Sequence, residues 1–73
     1  MARKRMHEPY EAFKLALAGK GIKYEDVAAL IGKSVAAVNF KINGWSDFFI
    51  GEQRLICESY DIDPSVFFSN YVA

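Results

Sequence analysis

Residues 32–44 read Gly32-Lys33-Ser34-Val35-Ala36-Ala37-Val38-Asn39-Phe40-Lys41-Ile42-Asn43-Gly44. Ser34 carries a hydroxyl suited to cap the backbone N–H groups that follow it, and Gly44 suits the left-handed exit that ends a helix. Val38 and Ile42, four apart, make one apolar edge. The spacing predicts a helix that begins after Ser34, continues to Asn43 and stops at Gly44. Immediately upstream, residues 24–31 carry a second short helical pattern with Val27, Leu30 and Ile31 inward. Glu25 and Asp26 fall in its first turn, where they favour the helix dipole. Lys23 is a poor N-cap, Gly32 supplies the exit, and Ala28 is small enough for another helix to cross closely.

Two short helices joined by a glycine turn, the second itself ending in glycine, fit a helix-turn-helix. Such a unit lays its second helix in the DNA major groove. Working outward, Pro9 suits a first helical turn, and Tyr10, Phe13 and Leu17 share one face, so a helix is expected from about Pro9 to Ala18 with Gly19 ending it. Residues 45–50 form a loop holding Trp45 and the pair Phe48-Phe49. A helix over about Gly51 to Tyr60 should bury Leu55, Ile56 and Tyr60. Asp61-Ile62-Asp63-Pro64 breaks it, and Pro64 opens a last helix through about Asn70. The fold class is therefore all-α, a compact bundle of about five short helices, with residues 1–7 as a flexible basic arm and 8–73 as the helix-turn-helix domain.

A chain of 73 residues is one domain, close to the smallest size that folds without metals or disulfides. The hydrophobic fraction of 52% and aromatic fraction of 15% are high enough for a true core rather than disorder. No stretch has the length of apolar residues that a membrane span needs, and no apolar run follows the basic N-terminus, so a signal peptide is not expected. The single cysteine, Cys57, has no internal partner and sits in an apolar Leu55-Ile56-Cys57 run, which suits a reducing cytoplasm.

The formal net charge is zero, but its distribution is uneven. Residues 1–23 hold Arg3, Lys4, Arg5, Lys14, Lys20 and Lys23 against only Glu8 and Glu11. Residues 45–73 hold Arg54 against Asp47, Glu52, Glu58, Asp61 and Asp63. One end suits phosphates and the other repels them; a dipolar solvated surface without a partner is the plainer alternative.

The segment 32–44 resembles the recognition-helix half of phage Cro/cI-type (XRE-like) helix-turn-helix domains, and the run Asn39-Phe40-Lys41-Ile42-Asn43-Gly44 is similar to a recurrent pattern of small phage-encoded Cro-like regulators. Asp47-Phe48 and then Glu52 through Ile62 resemble the helix that follows it. The resemblance covers roughly residues 10–68. It implies a lambda-repressor-like fold and a phage or prophage regulator, in the cytoplasm of a bacterial host cell, that occupies a double-stranded DNA operator near a promoter and blocks RNA polymerase. Three departures stand out: Lys23-Tyr24 where many relatives carry Thr-Gln, Gln53 at a usually apolar position, and apolar Val35 and Ala36 where many relatives carry polar base-reading side chains.

On the helix over 34–43 the face opposite Val38 and Ile42 carries the candidate base contacts Val35, Ala36, Asn39 and Phe40. Asn39 has the chemistry for the paired hydrogen bonds to adenine N6 and N7. Val35 and Ala36 either pack on thymine methyl groups or simply let the helix sit deep. Phe40 has three open roles: a sugar or thymine contact, packing beneath the first helix, or a dimer contact. Candidate backbone contacts are Lys23, Tyr24, Lys33, Ser34, Lys41 and Asn43, joined by N–H groups at the starts of the two helices. Lys41 has the alternative of laying its stem across the core edge. Arg3, Lys4 and Arg5 follow the minor groove or the backbone, or belong to a plain tail.

Catalysis has little support. His7 is the only histidine, placed for a surface contact with Glu11, and no second histidine or cysteine set offers a metal site. Asp61 and Asp63 read as turn and cap residues. No enzyme activity, cofactor, metal or small-molecule substrate is expected. The competing reading is a protein-interaction module of the same fold, since Phe67, Phe68, Tyr71 and Val72 make an apolar C-terminal stretch. The same residues are candidates for a homodimer contact.

Overall fold

The computed structural model describes residues 4–68, and among them the fold is all-helical, with no strand. The α-helices are α1 (Glu11–Lys20), α2 (Tyr24–Ile31), α3 (Val35–Asn43) and α4 (Ile50–Tyr60), followed by a single 3-10 turn over Pro64–Phe67. The expected fifth helix is thus one 3-10 turn within the described residues. No helix among them is long and apolar enough to cross a membrane.

The bounds of α2 and α3 follow from local chemistry. Ser34 Oγ accepts the Ala37 N–H at 3.1 Å, and Gly32 takes a left-handed φ of 70°. At α2 the weak cap Lys23 is compensated from the other side, because its own N–H donates to the Asp26 carboxylate at 2.9 Å. Glu52 does the same for Phe49 at the start of α4.

α1 departs from expectation at both ends. Tyr10 is non-helical because its N–H donates to the Ile42 carbonyl at 2.9 Å, a tertiary bond that delays the helix to Glu11. The helix then runs through Gly19 and exits at Gly21, where the N–H of Ile22 returns to Leu17 at 2.9 Å. Ile22 packs against the core, so the exit falls at the glycine whose successor is apolar.

α2 packs on α3 and α4, while the 3-10 turn packs on α1 and α4. Between them lies an aromatic cluster of Tyr10, Phe13, Phe48 and Phe67, with Phe67 centroids 4.7–5.5 Å from the other three rings. Val27, Ala28, Leu17, Val38, Ile42, Ile56, Cys57 and Ile62 complete the core. On α4 the buried pair is Ile56 and Cys57; Leu55, expected inside, is turned 100° away along the helix and is exposed.

The N-terminal segment docks where α3 ends. Met6 N–H donates to the Gly44 carbonyl at 2.6 Å, and Gly44 has φ 95°. A Cβ at Gly44 would run into the His7 carbonyl. Gly44→Ala therefore combines a left-handed penalty of about 1–2 kcal/mol with displacement of residues 6–7. Thermal unfolding and amide exchange at Met6 test this; an unchanged Met6 exchange rate would sink it.

Candidate nucleic-acid interface

α3 divides cleanly into two sides. Val38 and Ile42 are fully buried, while Val35, Ala36, Asn39 and Phe40 are exposed, leaving methyl groups, an amide and part of an aromatic side chain accessible. The first turn of α3 holds no acidic residue, so its N–H dipoles and the exposed Lys33 beside them favour an anion. The start of α2 is different: Glu25 and Asp26 stand in its first turn, and Asp26 already occupies the Lys23 N–H. Lys23 keeps an exposed side chain, whereas Tyr24 is half-buried against the core.

Three of the expected backbone-contact residues are committed within the protein. Ser34 serves as the α3 cap. Asn43 donates through Nδ2 to both the carbonyl and the Oδ1 of Asn39, each at 2.9 Å, and its own Oδ1 accepts from Lys14 Nζ at 3.0 Å. Lys41 is a correction. It is buried, with its ammonium 3.0 Å from the Asp47 carbonyl and 3.5 Å from the Glu52 carboxylate, beneath the Phe49 ring at 4.9 Å. The alternative of a lysine laid into the core edge is the one the fold adopts, because α3 and the 45–49 loop close over it. Lys33 stays exposed, 5.8 Å from the same Phe49 ring.

His7 is a second correction. Instead of meeting Glu11 at the surface of a flexible arm, it is buried and stacked on Tyr10 at 4.1 Å. Its ring nitrogens face the carbonyls of Glu8 at 2.6 Å and Ser46 at 2.9 Å, with Asp47 at 3.5 Å. Tyr10 donates its hydroxyl to Asp47 at 2.6 Å, so the N-terminal segment and the loop after α3 share one polar cluster. Lys4 and Arg5 are exposed, and the Arg5 guanidinium stacks over Trp45 at 4.9 Å, close to the end of α3. Arg3 lies outside the described residues.

The C-terminal contact residues also separate. Phe67 is wholly buried in the core and so is not available to a partner, whereas Phe68 is 56% exposed. Tyr71 and Val72 lie outside the described residues. Phe68, Ile50, Gln53, Arg54, Cys57 and Pro64 line a mostly apolar cleft of about 180 Å³. Burial, and then the charges of Asp63 and Glu58, push the Cys57 thiol up, which keeps it protonated and a weak nucleophile. Among the described residues no three metal-binding side chains come together.

Lys14, His7, Trp45 and Asp47 are the neighbours of α3 that linear reading left out. Tyr10 and Asp47 are 37 positions apart, so no periodicity or motif announces their contact. No family model, curated protein or solved structure matches this chain.

Proposed function

We propose that this chain is a sequence-specific duplex-DNA-binding regulator of the phage Cro/cI-type helix-turn-helix class, with α2 and α3 as the two-helix unit and α3 as its major-groove helix. The observation that carries this reading is the two-sided α3. Its capped, acid-free N-terminus and its exposed Val35, Ala36, Asn39 and Phe40 stand opposite a fully buried Val38 and Ile42. Such a surface has the hydrogen-bonding amide for an adenine edge and the apolar groups for thymine methyls. Lys33, Lys23, Lys4 and Arg5 remain exposed as candidate phosphate contacts. Lys41 is withdrawn from that set by its burial.

Selection from a random duplex library by the purified protein, near physiological salt, tests the proposal. Enrichment of a two-fold motif means a dimeric operator-binding regulator, and an unsplit short motif means a monomer. Asn39→Ala should lose about 1–3 kcal/mol of discrimination at a single base step. Lys33→Ala should weaken all sequences about equally and lower the salt slope by about one. Indiscriminate loss in both variants would sink the division of labour.

One observation favours a second reading, in which the same fold docks a protein. Ile50 and Phe68 are exposed at the mouth of the apolar cleft, at 75% and 56%. Failure to enrich any sequence, with only weak salt-labile DNA binding, would move the assignment there, because apolar docking is insensitive to salt.

A further inference from the structure

We infer that Lys14, on α1, is a positioning residue that sets the orientation of the Asn39 amide on α3, and through it the base edge that Asn39 reads. The inference rests on the DNA-binding reading of α3. Its ground is a chain of three side chains: Lys14 Nζ to Asn43 Oδ1 at 3.0 Å, and Asn43 Nδ2 to Asn39 Oδ1 at 2.9 Å. Lysine has only donors, so the Asn43 oxygen must face it. The Asn43 amino group then faces Asn39, where it also donates to the Asn39 carbonyl at 2.9 Å, an acceptor-only group that favours the same amide orientation as Lys14. One lone pair of Asn39 Oδ1 is then occupied, and the Asn39 amino group is free to point away from the helix.

Asn39 is consequently presented with its donor outward and one oxygen lone pair to spare. In the major groove this suits a purine: the amino group donates to N7, and the remaining lone pair accepts from the N6 amino group of adenine. The amide is held in one of its two flipped states before DNA arrives, so less side-chain freedom is lost on binding. Lys14 is held in turn by Glu11, 3.5 Å away, and its charge lies at the C-terminal end of α3, where the dipole is negative. A residue on α1 with no place on the groove-facing side of α3 thus acts on base choice through two asparagines.

Two measurements on the full chain test this, using Lys14→Met, which keeps the stem and removes the donor, and Lys14→Arg, which keeps a donor-only head. In the free protein, nuclear magnetic resonance of the Asn39 and Asn43 side-chain amides should show slowed proton exchange at Asn43 in the wild type and Lys14→Arg, and its loss in Lys14→Met. Unchanged amide signals in Lys14→Met overturn the relay without reference to DNA. In duplex selection, Lys14→Met should flatten preference about three- to tenfold at one purine position, leaving the others intact, while Lys14→Arg retains it. A uniform loss over all sequences would make Lys14 a plain phosphate charge and overturn the inference. A wild-type chain that enriches no sequence overturns the functional reading and this role with it, even where the amide signals show the relay formed.

Discussion

Phe67→Ala is expected to remove a large part of the folding stability of this chain. Phe67 is fully buried, and its ring centroid lies 4.7 Å from Phe13, 5.3 Å from Tyr10 and 5.5 Å from Phe48. It therefore joins the start of α1, the loop before α4 and the C-terminal turn in one cluster. Truncating a buried phenylalanine to alanine costs about 3–5 kcal/mol, from lost transfer energy plus the cavity left behind. A domain of 73 residues has a total stability of only about 4–11 kcal/mol. The neighbouring Phe68→Ala, at an exposed position, should cost less than about 1 kcal/mol. Urea titrations followed by circular dichroism measure both. A Phe67→Ala loss as small as that of Phe68→Ala would mean that the aromatic cluster is not the centre of the core.

Lys41→Ala is expected to be the most damaging change of a charged residue, at about 3 kcal/mol. The ammonium and the Glu52 carboxylate have side chains only 10% and 11% exposed and stand 3.5 Å apart. The same ammonium donates to the Asp47 carbonyl at 3.0 Å, so it ties α3 to the following loop and to the first turn of α4. Removing it strands a mostly buried carboxylate whose other bond in this turn is the Phe49 N–H at 2.9 Å. Lys41→Ala combined with Glu52→Gln should recover part of the loss, since the stranded charge is gone. Because the pair is shielded from solvent, the loss should change little with added salt. Denaturant midpoints at low and high salt decide this. A Lys41→Ala variant of native stability whose DNA affinity alone falls would return Lys41 to the phosphate contacts.

These two residues show where linear reading reaches its limit. α2 and α3 were legible to the residue at their adjoining ends, because a serine cap and a glycine exit act within one turn of backbone. The split of α3 was legible too: Val38 and Ile42 lie inside, and Val35, Ala36, Asn39 and Phe40 outside. Periodicity is a property of the helix itself and needs no partner to be seen.

Sequence alone thus settled the helical class, the adjoining ends of α2 and α3 and the solvent-facing side of α3. The fold in three dimensions decided the rest. Tyr10 starts α1 late because it bonds Ile42, His7 goes inside because Tyr10 and Ser46 receive it, and Lys41 turns inward because Asp47 and Glu52 wait there. Of two adjacent phenylalanines, Phe67 enters the core and Phe68 stays out. In each case the deciding partner lies in another segment of the chain. Local propensity gives a residue its options, and only the assembled neighbours supply the energy that selects one.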